Sequence, residues 1–77
     1  MNLLAAAPGK RYVVLKIRDA EVRRQADCLG MGEGEDVYCC ARQGRGPVII
    51  GRSGQMVAVG VETARGIQIS PLRKPRK

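Results

Sequence analysis

The sequence has no histidine, no tryptophan and no phenylalanine, and its aromatic residues are Tyr12 and Tyr38. Without histidine, no side chain has an ordinary pKa near neutrality, so general acid–base catalysis would fall on a carboxylate or thiol in an altered environment. The carboxylates are scattered for that task. Glu33, Glu35 and Asp36 sit together in a glycine-containing turn, where the expectation is solvation. Gly30, Gly32 and Gly34 lack the Lys-Ser/Thr and the following helix of a phosphate-binding loop. The chain is expected not to be an enzyme and to need no cofactor. The shortage of aromatics also removes the stacking platforms used on single-stranded nucleic acid and the groove that grips proline-rich peptides. No apolar run approaches the ~18 residues of a membrane span. The opening Met1–Lys10 has no basic region and too short an apolar stretch for a secretion signal, so a cytoplasmic location is expected.

Cysteine is sparse too. Cys28, Cys39 and Cys40 are an odd number at spacings unlike those of zinc ligands. Small secreted scaffolds carry an even, denser set, so reduced thiols are expected. Cys39 and Cys40 are adjacent, and neighbours on a strand point to opposite faces, which keeps them from clasping one ion. No metal site is expected. Cys39 reads as a small core residue and Cys40 as incidental.

What is present is a short, basic, apolar-rich chain. Its 77 residues suffice for one domain, burying only ~60% of the unfolded surface. Hydrophobic residues make up 44%, enough for a folded core. The net charge of +7 is uneven: Arg73, Lys74, Arg76 and Lys77 crowd the C-terminus, and without them ten basic residues face 7 acids. The body is mildly cationic, and Pro71–Lys77, with two prolines among basic residues, is expected to be a disordered tail after a folded domain of residues 1–70.

Periodicity predicts a first strand over residues 11–17, with Val13, Leu15 and Ile17 on one face. Asp19 reads as an N-cap, Val22, Ala26 and Leu29 recur at helical spacing, and Gly30 suits the left-handed position that ends a helix. Residues 35–42 read as a strand with Val37, Cys39 and Ala41 on one face. After the loop Gln43–Pro47 come short strands at 48–51 and 55–60, joined by the turn Arg52-Ser53-Gly54. A helical turn over 61–65 and a closing strand with Ile67 and Ile69 complete the chain. Five short strands with one helix after the first describe a mainly β, partly open barrel.

This organisation resembles the FeoA family. Residues 3–17 look like its opening, with leucine, Pro8-Gly9 and a valine-rich first strand. Leu29-Gly30-Met31 followed by Gly34 is similar to the element after its helix, and Gly46-Pro47-Val48-Ile49-Ile50 to its turn into the third strand. Met56–Val61, Ala64, Ile67 and Ile69 follow its final elements. Family members often carry proline where this chain has Glu33 and in place of Gln43-Gly44, and Leu-Arg in place of Gly60-Val61. Similar domains end iron-dependent repressors of the diphtheria-toxin-repressor type; this chain shows no helix-turn-helix, so a repressor is not expected. The resemblance implies an SH3-like barrel acting in the cytoplasm in ferrous-iron transport. It implies contact with a FeoB-type permease bearing a GTPase domain, with membrane attachment only through that partner; no obligate nucleic acid is expected from so few aromatics, and the sequence leaves a homo-oligomer open.

A domain without chemistry of its own acts through a surface. The candidate contact residues are Gln43, Arg45, Gly46 and Pro47 with Arg52, and Gly30 with Met31 at the helix exit. The competing reading is a nucleic-acid module in which Lys10, Arg11, Arg42, Arg45, Arg52 and the tail follow a phosphate backbone.

Overall fold

A computed structural model of the chain describes residues 1–42 and 44–72. A 3-10 turn, Leu3–Ala5, precedes β1 (Arg11–Ile17), α1 (Ala20–Cys28), β2 (Asp36–Arg42), β3 (Val48–Arg52), β4 (Gln55–Val59), α2 (Val61–Arg65) and β5 (Ile67–Pro71). The five strands form one antiparallel sheet in the order β4-β3-β2-β1-β5. The sheet curls around its core without closing, since β4 and β5 end it rather than pair with each other.

The core is Leu3, Tyr12, Val14, Ile17, Met31, Val37, Cys39, Val48, Ile50, Val59, Ala64, Ile67 and Ile69 with Ala6. This overturns the expected inward face of β1. Tyr12 and Val14 point inward and Leu15 is 53% exposed. The pairing of β1 with β5 shifts register between Val14 and Lys16, and that bulge returns Ile17 to the core. Burying an aromatic tyrosine needs a partner for its hydroxyl, which accepts the Ala7 N–H at 2.8 Å. A second bulge, between Cys39 and Ala41, breaks the alternation of β2, so Ala41 is only half-buried.

Helix α1 is capped as its sequence indicates: the Asp19 carboxylate accepts from Glu21 N–H at 2.8 Å and Val22 N–H at 3.2 Å. Gly30 ends it with φ of 74°. Gly30 N–H donates to Asp27 C=O and Met31 N–H to Ala26 C=O, the paired bonds of a Schellman motif. That motif turns Met31 into the core, where it is 3% exposed. The helix itself buries none of its residues fully; Val22 and Ala26 lean on the core.

The C-terminal boundary also moves. β5 runs through Pro71, and Leu72 N–H donates to Arg11 C=O, so Pro71 belongs to the sheet rather than to the expected tail. Arg73–Lys77 lie outside the described residues.

Candidate functional site

The candidate contact residues divide between the two ends of β3. Arg45, Gly46 and Pro47 precede its first residue, Val48, while Arg52 is its last. At ~3.3 Å per residue the strand holds these groups about 13 Å apart. Gln43 lies outside the described residues.

At the far end, Arg52 is a held side chain rather than a free rim charge. Its Nε donates to Asp36 C=O at 3.0 Å, and Nη2 lies 3.1 Å from the Glu35 carboxylate and 3.8 Å from that of Asp36. Arg11 approaches Asp36 from the other side at 3.6 Å and lies over the Tyr38 ring, 5.8 Å from its centroid. Gly30 belongs to this corner, since a Cβ built there would stand 3.8 Å from Arg52 Nη1. The structure thus brings Gly30 and Arg52 together. Met31, expected beside them at the surface, is taken inward by the helix cap.

The acids of the 33–36 turn are not merely solvated. Glu35 and Asp36 fix Arg52. Glu33 accepts the Ile17 N–H at 2.9 Å, close to where the β1 bulge interrupts the ladder. Arg23 on α1 stands 4.0 Å from the same carboxylate and donates to Ile17 C=O at 3.4 Å. Sequence reasoning missed these roles because the partners lie sixteen residues away along the chain, as the separations of Ile17 from Glu33 and of Arg52 from Asp36 show. The one local signal was three acids in a chain otherwise rich in arginine.

The near end of β3 is different. Arg45 is exposed and, among the described residues, makes no salt bridge or side-chain hydrogen bond. The loop is tied by Arg42, whose Nη1 donates to Gly46 C=O at 3.4 Å. Pro47 is exposed and Gly46 half-buried.

Cys39 is fully buried, and burial pushes its thiol pKa up, with the neighbouring Cys40 adding to the shift and Arg42 opposing it. Cys40 lies on the opposite face beside Gly51, whose missing side chain leaves room for its sulfur and for Met56. Among the described residues no three His, Cys, Asp or Glu side chains gather as metal ligands would. Of the two tyrosines, Tyr12 is in the core and Tyr38 is the exposed ring. No helix among the described residues is long and apolar enough to cross a membrane.

The FeoA domain family matches residues 1–71, nearly the whole chain. The chain belongs to the FeoA family. Solved structures share its fold. An iron uptake regulatory protein (FeoA) superposes with a TM-score of 0.79 at 23% identity, over 94% of this chain and 97% of that one. The FeoA protein from Chlorobium tepidum gives 0.82 at 23% identity, over 99% of this chain and 74% of that one. A manganese-dependent transcriptional repressor gives 0.76 at 23% identity, over 94% of this chain and 41% of that one. At such identity the likeness shows the SH3-like fold. No curated protein matches the chain in sequence.

Proposed function

We propose that this FeoA-family chain is a non-enzymatic accessory protein of ferrous-iron uptake that works in the cytoplasm by contact with a FeoB-type permease. The observation that carries the reading is the family match across residues 1–71. The iron uptake regulatory protein and an iron(II) transport protein from Clostridium thermocellum share the fold and support it. Within this reading the contact surface is the loop before β3, and what supports it is Arg45, which projects its charge into solvent there. An exposed arginine on a short loop suits steering toward an acidic patch, and such contacts are small and transient. Met31 is buried in the core, while Arg52, a third exposed, is held by Glu35 and Asp36 and is a weaker candidate than Arg45.

The test is ferrous-iron uptake in cells deleted for their own FeoA, alongside binding of the purified chain to solubilised permease. The wild-type chain is expected to restore uptake, and Arg45→Glu to slow association and lower uptake while folding normally. A wild-type chain that neither restores uptake nor binds the permease of its own organism would overturn the reading. Full uptake with folded Arg45→Glu would remove that loop from the interface.

A further inference from the structure

The two edges of the sheet are treated differently. The outer edge of β5 is covered by the N-terminal segment: Ile69 N–H donates to Met1 C=O at 2.7 Å, and Asn2 bridges to Gln68. At the other edge, β4 pairs with β3 and, among the described residues, with no other strand. The turn before it decides which backbone groups are left over. Ser53 and Gly54, with φ of 52° and 84°, form a two-residue turn closing the Arg52–Gln55 pair. Counting from that closed pair, Val57 and Val59 exchange hydrogen bonds with β3, while Met56 and Ala58 aim their N–H and C=O groups away from it. Among the described residues nothing bonds those groups.

Natural sheets guard such edges with charge, proline or a bulge. The segment Gln55-Met56-Val57-Ala58-Val59 has no charged residue and no proline, and its pairing with β3 runs without a shift of register. Its outer face is apolar and open, with Met56 69% exposed and Ala58 also exposed.

We propose that β4 is a self-pairing edge, through which two copies of this chain join antiparallel about a two-fold axis at Val57. Self-complementarity selects a second copy as the occupant. In this register Met56 stands opposite Ala58 of the other copy and the reverse, so both outward pairs exchange both bonds. The long methionine side chain then lies over the small alanine on one face, and Val57 meets Val57 on the other. A slip by one residue sets Met56 and Ala58 against Val57 and Val59, whose groups are already spent on β3, and a slide of two residues, which moves the axis to Met56 or Ala58, keeps one mutually bonded pair of these outward residues instead of two. Five residues a side make an interface well below the ~1,000 Å² of a stable complex, so the dimer is weak and reversible. Each copy carries +7, so added salt strengthens the pairing by screening repulsion, opposite to its effect on an acidic partner. This surface is separate from the Arg45 loop, and its failure would leave the permease reading untouched.

The experiment is sedimentation equilibrium of the full chain from about 0.02 to 2 mM, at low and high salt, with amide exchange followed by NMR. The average mass is expected to rise from 8.3 kDa toward twice that value with concentration, and further with salt. The Met56 and Ala58 amides should exchange several-fold more slowly at the higher concentration. Ala58→Pro removes only an outward donor, and Met56→Lys places charge on an exposed site; both should remain monomeric. Met56→Lys keeps the test valid should the proline variant not fold. A wild-type chain that stays at 8.3 kDa throughout, or folded variants that dimerise as well as it does, would overturn the proposal.

Discussion

Two stretches of this chain look alike as sequence and end in opposite states. Gly44-Arg45-Gly46 and Gly51-Arg52-Ser53-Gly54 each place an arginine among glycines at a turn, the first before β3 and the second where β3 ends. Arg45 stands in solvent, whereas Arg52 is bound to a backbone carbonyl and two carboxylates. The difference arises from what strand pairing sets alongside each. The turn into β2 lies beside the end of β3 and brings Glu35 and Asp36 to Arg52. The loop between β2 and β3 has no acid in residues 42–47. An arginine in a turn is therefore a docking candidate only after the sheet has shown what faces it.

The largest expected effect breaks the anchored side. Arg52→Glu deletes a charge-assisted hydrogen bond and sets a third carboxylate against Glu35 and Asp36. The site is a third exposed, so screening trims the repulsion, and a loss of about 2–3 kcal/mol is expected. Thermal unfolding followed by circular dichroism should show a fall of roughly 10–20 °C for a domain of this size. A melting temperature within a degree or two of wild type would mean that Arg52 is as free as Arg45.

Gly30→Val tests the same corner from the helix. Space is not the obstacle, since a Cβ would meet Arg52 Nη1 at an ordinary 3.8 Å. The cost is the left-handed backbone at φ of 74°, which a β-branched residue strains by about 1–2 kcal/mol. Gly30→Asn, which tolerates that conformation better, should recover part of the loss in urea unfolding. Equal stability of the valine and wild-type chains would remove the Schellman closure from the account.

The contrast also marks how far sequence carried the reading. Element order was legible because its signals are local: Asp19 caps its own helix, Gly30 ends it, and Ser53-Gly54 turns a hairpin. The inward face of β1 was not. Residues 12–15 are apolar throughout, so neither parity stands out, and the bulge after Val14 lets Ile17 satisfy both. The alternation Val13, Leu15, Ile17 predicted the wrong face for its first two members. The candidate site fared likewise. Arg45 kept the expected exposure, while Arg52 and Met31 were claimed by partners distant in sequence or by a cap whose geometry buries the residue after it.

A smaller effect concerns the interior between the two ends of the hairpin. Cys39 is buried with its thiol pKa raised, so the folded state favours the protonated form. The sign follows directly: the stability it contributes is complete below the unfolded thiol pKa of about 8.5 and is lost as pH rises through the folded value. Between the two, stability should fall by at most ~1.4 kcal/mol per pH unit from this group. Urea midpoints for wild type and Cys39→Ala, each referred to its own value at pH 7, are expected to diverge above about pH 8.5. Parallel curves up to pH 10 would place the thiol in contact with water.

The smallest expected change in stability lies at the other arginine, and it is the one on which the comparison turns. Arg45→Glu removes an exposed charge with no partner among the described residues, so unfolding free energy should move by no more than ~0.5 kcal/mol. Arg42, whose guanidinium donates to Gly46 C=O, keeps the loop tied whichever charge stands at position 45. The informative quantity is the difference between the two reversals measured under one buffer. Arg52→Glu should cost at least about four times as much as Arg45→Glu, and raising salt to about 0.5 M should shrink both shifts without reversing their order. If Arg45→Glu proved as destabilising as Arg52→Glu, the loop before β3 would be a structural anchor too, and its charge would no longer be available for docking.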